Sequence, residues 1–313
     1  MLAVVAPGQG SQTPGFLAPW FEFFDAQGDF SAKLVAGWSE LCGLDLRHLG
    51  STADADEIRD TAKAQPLLFL GGLTGVGALF AGDASSISVV AGHSVGEVTA
   101  AAFAGVLSPS DALTLVTARG REMAKAASGS NSGMSAVLGG DRDLVVAHLA
   151  SLGLTAANEN GAGQIVAAGS LDALAQLSEN APEGSRIRPL AVSGAFHTSV
   201  MEPAVSAINS LATGLTVSDP TTTILSNKDG AKVASGREVI DRIVGQIAGP
   251  VRWDLCMQTL SDMGVTGVIE VPPAGTLTGL IKRAQPQIAT FALKTPDDLD
   301  AARAFVAEHG SAQ

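Results

Sequence analysis

The chain has 313 residues, of which 46% are hydrophobic and 16% charged, with a formal charge of −12 at neutral pH. This composition excludes a disordered or low-complexity protein and disfavours general nucleic-acid binding, and the length exceeds the usual single-domain mode of roughly 100–150 residues, so two domains are expected. Cys42 and Cys256 are the only cysteines; no disulfide framework or metal site is expected, and a reducing, cytoplasmic setting fits.

The apolar run at residues 2–6 has no basic leader and reads as a first strand, not a signal peptide. Residues 64–82 carry no charge and approach the ~20 needed to span a bilayer. That stretch includes Pro66 and is interrupted by glycines, so a helix buried in an α/β core is expected and no membrane association. A strand at 87–91 and a helix at 96–107 follow. The next helix has a clear start, with Ser108 as N-cap, Pro109 at the first helical position and Asp111 placed to close a capping box; its last turns carry Arg119 and Arg121.

From Ser128 to Gly133 the composition turns linker-like, and a second rhythm begins. Strand 134–138, helix 141–152, strands 154–158 and 164–168, a helix capped by Ser170 and strand 186–192 give the order βαββαβ, the ferredoxin-like split motif. The first style then resumes, with strands at 222–226, 265–271 and 289–293 and helices at 237–248 and 276–283. The expected fold is therefore α/β: a large domain with a parallel-sheet core, residues 1–128 and 194–313, and an inserted ferredoxin-like domain, residues 129–193. A cleft is expected where the two meet.

Gly92-His93-Ser94-Val95-Gly96 falls between the predicted strand and helix, the context a nucleophile elbow requires. Ser94 then needs a base near neutrality, and histidine is the usual choice. His48 and His148 fall in a polar loop approach and a helix, His309 lies in the terminal tail, and His93 is expected to project from the opposite side of its strand. By elimination His197 is favoured, at the return from the inserted domain; a core histidine held by hydrogen bonds is the ordinary alternative. Gly8-Gln9-Gly10 is followed by Thr13 where a dinucleotide fingerprint needs a third glycine, so no nicotinamide site is expected.

Taken together, PGQGSQ at 7–12, AQP at 64–66, GHSVGE at 92–97, Arg119-Gly120, NGAGQIV at 160–166, GAFH at 194–197, SNKDG at 226–230, PVRW at 250–253 and TLTGL at 276–280 closely resemble the malonyl-CoA:acyl-carrier-protein transacylases. That family is shared with the acyltransferase domains of fatty-acid and polyketide synthases. The resemblance implies an α/β-hydrolase-like large domain and transfer of malonyl from malonyl-CoA to the phosphopantetheine thiol of acyl carrier protein, through an acyl-serine on Ser94 with His197 as base and acid. It further implies an oxyanion hole from the N–H groups of Gln9 and Val95, and Arg119 as partner of the malonyl carboxylate. Phe196 would exclude a branched acyl group, Asn160 would line the cleft, and the backbone carbonyl of Gln246 would orient His197. Glu270, a tempting third triad member, is then structural.

Two departures stand out: Gly249 where the family usually has asparagine, and Pro272-Pro273-Ala274-Gly275 in place of Gly-Pro-Gly. No cofactor is expected beyond coenzyme A and the carrier's phosphopantetheine, and the chain is expected to be a monomer. A cluster drawn from Arg186, Arg188, Lys228, Lys282 and Arg283 is expected to receive the anionic partners. A serine thioesterase or esterase and a non-catalytic docking subunit are the alternatives.

Overall fold

The computed structural model describes residues 1–28, 30–192 and 194–310. Residue 193, the expected end of the inserted domain, and residues 311–313 lie outside the described residues. Eleven strands are described: β1 (Leu2–Ala6), β2 (Ile87–Gly92), β3 (Ser132–Gly139), β4 (Thr155–Gly161), β5 (Gln164–Ser170), β6 (Ser185–Pro189), β7 (Thr223–Leu225), β8 (Lys232–Val233), β9 (Val251–Arg252), β10 (Gly267–Glu270) and β11 (Ala289–Ala292).

They form two sheets. The larger runs β11-β10-β1-β2-β7-β8. Its first five strands are parallel, and only β8 at the edge is antiparallel. β1 and β2 are buried along nearly their whole length, as strands covered by helices on both faces must be. Helix Thr61–Phe80 starts one turn earlier than the apolar run suggests because the Asp60 side chain accepts from the Ala62 N–H. Most of its residues are buried within the protein, and among the described residues no helix is long and apolar enough to cross a membrane.

The second sheet runs β6-β3-β5-β4-β9. Its first four strands pair antiparallel, with helices Arg142–Ser151 and Leu171–Glu179 as the crossovers. Alternation divides its faces. Val137, Ile165 and Ala167 pack with Leu149, Leu174 and Leu177 in a core of their own, while Met134, Val166 and Ala168 join the main core.

Three expectations need correction. The predicted 96–107 helix is Gly96–Phe103, ending where Gly105 adopts φ +77°. The capping box is half made: the Ser108 hydroxyl accepts from the Asp111 N–H, but the Asp111 carboxylate accepts from that same hydroxyl and not from the Ser108 backbone. The second sheet also has a fifth strand, since β9 pairs parallel with β4 at Asn158↔Val251 and Glu159↔Arg252. Two residues are too short a run for a sequence pattern to announce, yet they bring the later part of the chain onto the edge of that sheet.

The elbow joins β2 to helix Gly96–Phe103, with Ser94 at φ +54°. A Cβ on Gly92 would lie 2.0 Å from the Gly96 carbonyl carbon, and one on Gly96 would lie 2.2 Å from the Ala6 oxygen. Both glycines are therefore demanded by the crossing of helix start and strand ends. Gly96→Ala is expected to destabilise the protein by about 3 kcal/mol or more, because the obstacle is backbone that cannot yield. Urea unfolding checks this, and a change below about 1 kcal/mol would contradict it.

Candidate active site

A cavity of about 390 Å³ lies between the C-terminal end of the large sheet and the face of the second sheet turned away from its two crossover helices; Gln9, Ser94, Asn160, Phe196, His197 and Leu280 are among its lining residues. This is where an open parallel sheet places its ligands.

The Ser94 hydroxyl is 2.7 Å from His197 Nε2. His197 Nδ1 is 2.8 Å from the backbone carbonyl of Gln246. A carbonyl can only accept, so the proton sits on Nδ1, and Nε2 is left to accept from the serine. His197 is 4% exposed and held at φ +63°. Burial, then the nearby Arg119 charge, pushes its pKa down to about 3. The ring is neutral at working pH and ready to take a proton.

Gln246 serves twice. Its carbonyl also accepts from the Gly249 N–H at 3.1 Å, so the departure from asparagine leaves a turn that still braces the acceptor of His197. Its side-chain carbonyl accepts from Arg119 Nη2 at 3.0 Å, while Arg119 Nη1 donates to Gln65 Oε1 at 2.8 Å. Arg119 is fully buried, and its Nη2 lies 3.4 Å from Ser94 Oγ. Burial brings its pKa down to about 10, with the Glu97 charge opposing; it remains a cation at neutral pH. Among the described residues its Nε has no partner.

Gln9 is anchored by its side chain, which donates to Thr61 Oγ1 at 3.0 Å. Val95 directly precedes helix Gly96–Phe103. Phe196 lines the cavity at 7% exposure. Asn160 reaches across the cavity, its Oδ1 2.8 Å from His93 Nε2. The expectation that His93 points away from the site is thus corrected. The elbow bends the chain after β2, so the strand's two-residue alternation no longer governs position 93, and the ring packs edge-on to Trp253 at the cavity wall.

Glu270 has a different post. Its carboxylate accepts from the N–H groups of Gly275, Leu277 and Thr278 and from the Thr278 hydroxyl, at 2.8–3.0 Å. It closes the Pro272-Pro273 loop and caps helix Thr276–Ala284, which contributes Thr276, Leu277 and Leu280 to the cavity. The five basic residues of the expected cluster are all exposed. None has an ion-pair partner among the described residues.

Asn227 and Glu97 went unassigned in the sequence. Asn227 is fully buried; its Oδ1 accepts from the Ser94 N–H at 2.8 Å and from Gln246 Nε2 at 2.9 Å, and its Nδ2 donates to the Gly92 carbonyl at 2.7 Å. It pins the elbow from both sides. The only available signal was its place in the SNKDG stretch. Glu97, the last residue of GHSVGE, is 2% exposed and faces Gln246.

A serine–histidine pair on a strained elbow, with a buried cation beside it, defines a nucleophilic acyl-transfer site. The acyl transferase domain family matches residues 4–304, and the chain belongs to that family. The malonyl CoA-acyl carrier protein transacylase of Mycobacterium tuberculosis is 48% identical over 302 residues, covering 96% of this chain and 98% of that protein. The one from Escherichia coli is 31% identical over 307 residues, covering 96% and 98%. The crystal structure of MCAT from Mycobacterium tuberculosis superposes with a TM-score of 0.90 at 47% identity, covering 97% of this chain and 99% of that one. So does a type II PKS acyl-carrier protein's malonyl-transacylase, solved in complex with that carrier, at TM-score 0.90 and 28% identity, covering 97% and 99%.

The depressed pKa of His197 sets the pH response. Protonation of the ring is held down to about pH 3, so if His197 serves as base, acylation by an uncharged acyl thioester should stay level as pH falls through the ordinary histidine value of 6.5. Stopped-flow release of coenzyme A from acetyl-CoA, between about pH 5 and 8, checks this. An acid limb centred near the ordinary histidine value would contradict it.

Proposed function

We infer that the chain is a malonyl-CoA:acyl-carrier-protein transacylase. The observation that carries the reading is the buried Arg119 guanidinium, whose Nη2 lies 3.4 Å from the hydroxyl that His197 activates. A cation at that distance suits an acyl group that ends in its own carboxylate.

Ser94 Oγ attacks the thioester carbonyl carbon as its proton passes to His197 Nε2. The oxyanion takes hydrogen bonds from the N–H groups of Gln9 and Val95, the second at a helix start. The C–S bond then breaks, and coenzyme A's sulfur recovers the proton from His197. In the second half the carrier's phosphopantetheine thiol gives its proton to His197 and attacks the seryl ester; the C–O bond breaks and Ser94 regains its hydroxyl. No carboxylate backs the histidine. The Gln246 carbonyl holds the tautomer without fully offsetting an imidazolium, which suits exchange between thioesters of similar energy.

The architecture is read in the same terms: an α/β-hydrolase-like domain of residues 1–128 and 194–313, and a ferredoxin-like insert of 129–193 supported by the antiparallel order β6-β3-β5-β4 with two crossover helices. Asn160 reaches from the insert to the cavity, and Phe196 fills the space a branched acyl group would need. Arg188 pairs with Ala136, a cavity-lining residue, so Arg186 and Arg188 share the cavity side of β6. They suit the phosphates of coenzyme A or an acidic carrier. The enzyme acts as a cytoplasmic monomer and needs no metal or resident cofactor.

Arg119→Ala is expected to reduce malonyl transfer at least a hundredfold while leaving acetyl transfer within a few-fold, since only one acyl group carries the charge that the arginine meets. Parallel assays with malonyl-CoA and acetyl-CoA and one holo carrier check this; equal losses would refute the role. The esterase alternative is decided by omitting the carrier, because a hydrolase would release malonate at the full transfer rate and a transferase would not.

A further inference from the structure

We propose that Glu97 is a positioning residue for malonyl transfer, acting through the Gln246 side-chain amide to hold the Arg119 guanidinium open toward the acyl carboxylate. The proposal rests on the reading of Arg119 just given.

Glu97 stands in the first turn of helix Gly96–Phe103 and is 2% exposed. Its Oε2 accepts from Gln246 Nε2 at 2.5 Å, and its Oε1 accepts from the Asn227 N–H at 3.1 Å. Gln246 Nε2 gives its other hydrogen to Asn227 Oδ1. Both amide hydrogens are thereby committed, and Oε1 is left facing Arg119 Nη2. Turning the amide over would set its oxygen against two acceptors and its NH2 against the guanidinium. Glu97 therefore decides which way Gln246 points.

The same arrangement solves a conflict of charge. A buried guanidinium needs a compensating anion, but a carboxylate bonded directly to it would occupy the donors the substrate needs. Arg119 touches two amide oxygens and no carboxylate among the described residues. Glu97 supplies the negative charge from one amide further away, and its field opposes the downward pull of burial on the Arg119 pKa.

Burial pushes the Glu97 carboxyl up to about 7, against the hydrogen bonds of Asn227 and Ser226 and the charges of Arg119 and Arg242. Cys256, whose thiol burial pushes well up, and His197, lowered to about 3, also face this cluster, and neither titrates in the same range. A group whose pKa is raised loses its charge first as pH falls. Malonyl selectivity is thus expected to decline on going below about pH 7, while acetyl transfer stays level.

Glu97→Gln tests the assignment, since the isosteric amide removes the charge and must set a donor against either Gln246 or Asn227. The expected result is a loss in malonyl kcat/KM of about tenfold or more, carried mainly by KM, with acetyl kcat/KM within about threefold of wild type. Equal losses with both substrates, or none with either, in a variant that melts like wild type would overturn it. If the variant does not fold, the wild-type ratio of malonyl to acetyl kcat/KM between about pH 5.5 and 8.5 decides: a single step near pH 7 is expected, and a flat ratio overturns the proposal. Arg119→Ala, run alongside, separates the two readings. If it loses malonyl transfer but not acetyl transfer while Glu97→Gln has no effect, only the role of Glu97 fails; if it loses both activities equally, the reading of Arg119 fails.

Discussion

The Ser94 hydroxyl and the His197 imidazole come from segments 103 positions apart and meet at 2.7 Å, and much of the architecture around them serves to keep them there. Both residues sit at positive φ without being glycine, a conformation that costs energy and persists only where the surroundings over-determine it. For Ser94 the surroundings are Gly92, Gly96 and the end of β1, with Asn227 gripping the backbone on both sides. For His197 they are the Gln246 carbonyl and near-complete burial. The chain reaches His197 just after leaving β6 of the second sheet, so the segment that closes one wall of the cavity also delivers the imidazole to it.

A second constraint follows from polarity. Arg119, Glu97, Gln65, Gln246 and Asn227 are all nine-tenths buried or more, which is expensive unless every donor and acceptor is matched. The amides do most of the matching, with Arg119 Nε left over among the described residues: each glutamine offers its oxygen to the guanidinium, and Gln246 turns its nitrogen to Glu97 and Asn227. The nucleophile's backbone, the histidine's tautomer and the guanidinium's position thus belong to one hydrogen-bonded unit. Changes at two of its members are therefore not expected to add.

How much of this could be read from the sequence follows from the range of each interaction. The elbow was legible because its determinants lie within five residues, and strand, turn and helix periods flank it. The βαββαβ order was legible because each element carries its own alternation or cap, as with Ser170 accepting from the Ala173 N–H. Elimination and family resemblance brought His197 forward, and the geometry sets it beside Ser94. Asn227 and Glu97 meet each other and Gln246 only through folds that bring positions 97, 227 and 246 together, and no local pattern marks such a contact. β9 escaped for the opposite reason: two residues are too few to show a period. His93 was misjudged because strand alternation was carried one residue past the strand's end.

The central claim is that Ser94 becomes covalently acylated by a malonyl thioester while His197 carries the proton. Incubating the protein with malonyl-CoA alone, quenching in acid and mapping the peptides by mass spectrometry tests this most directly. The account predicts close to one malonyl group per chain, located on Ser94 and accompanied by an equal amount of free coenzyme A. An unmodified Ser94 peptide, or a malonyl group on another residue, would contradict it.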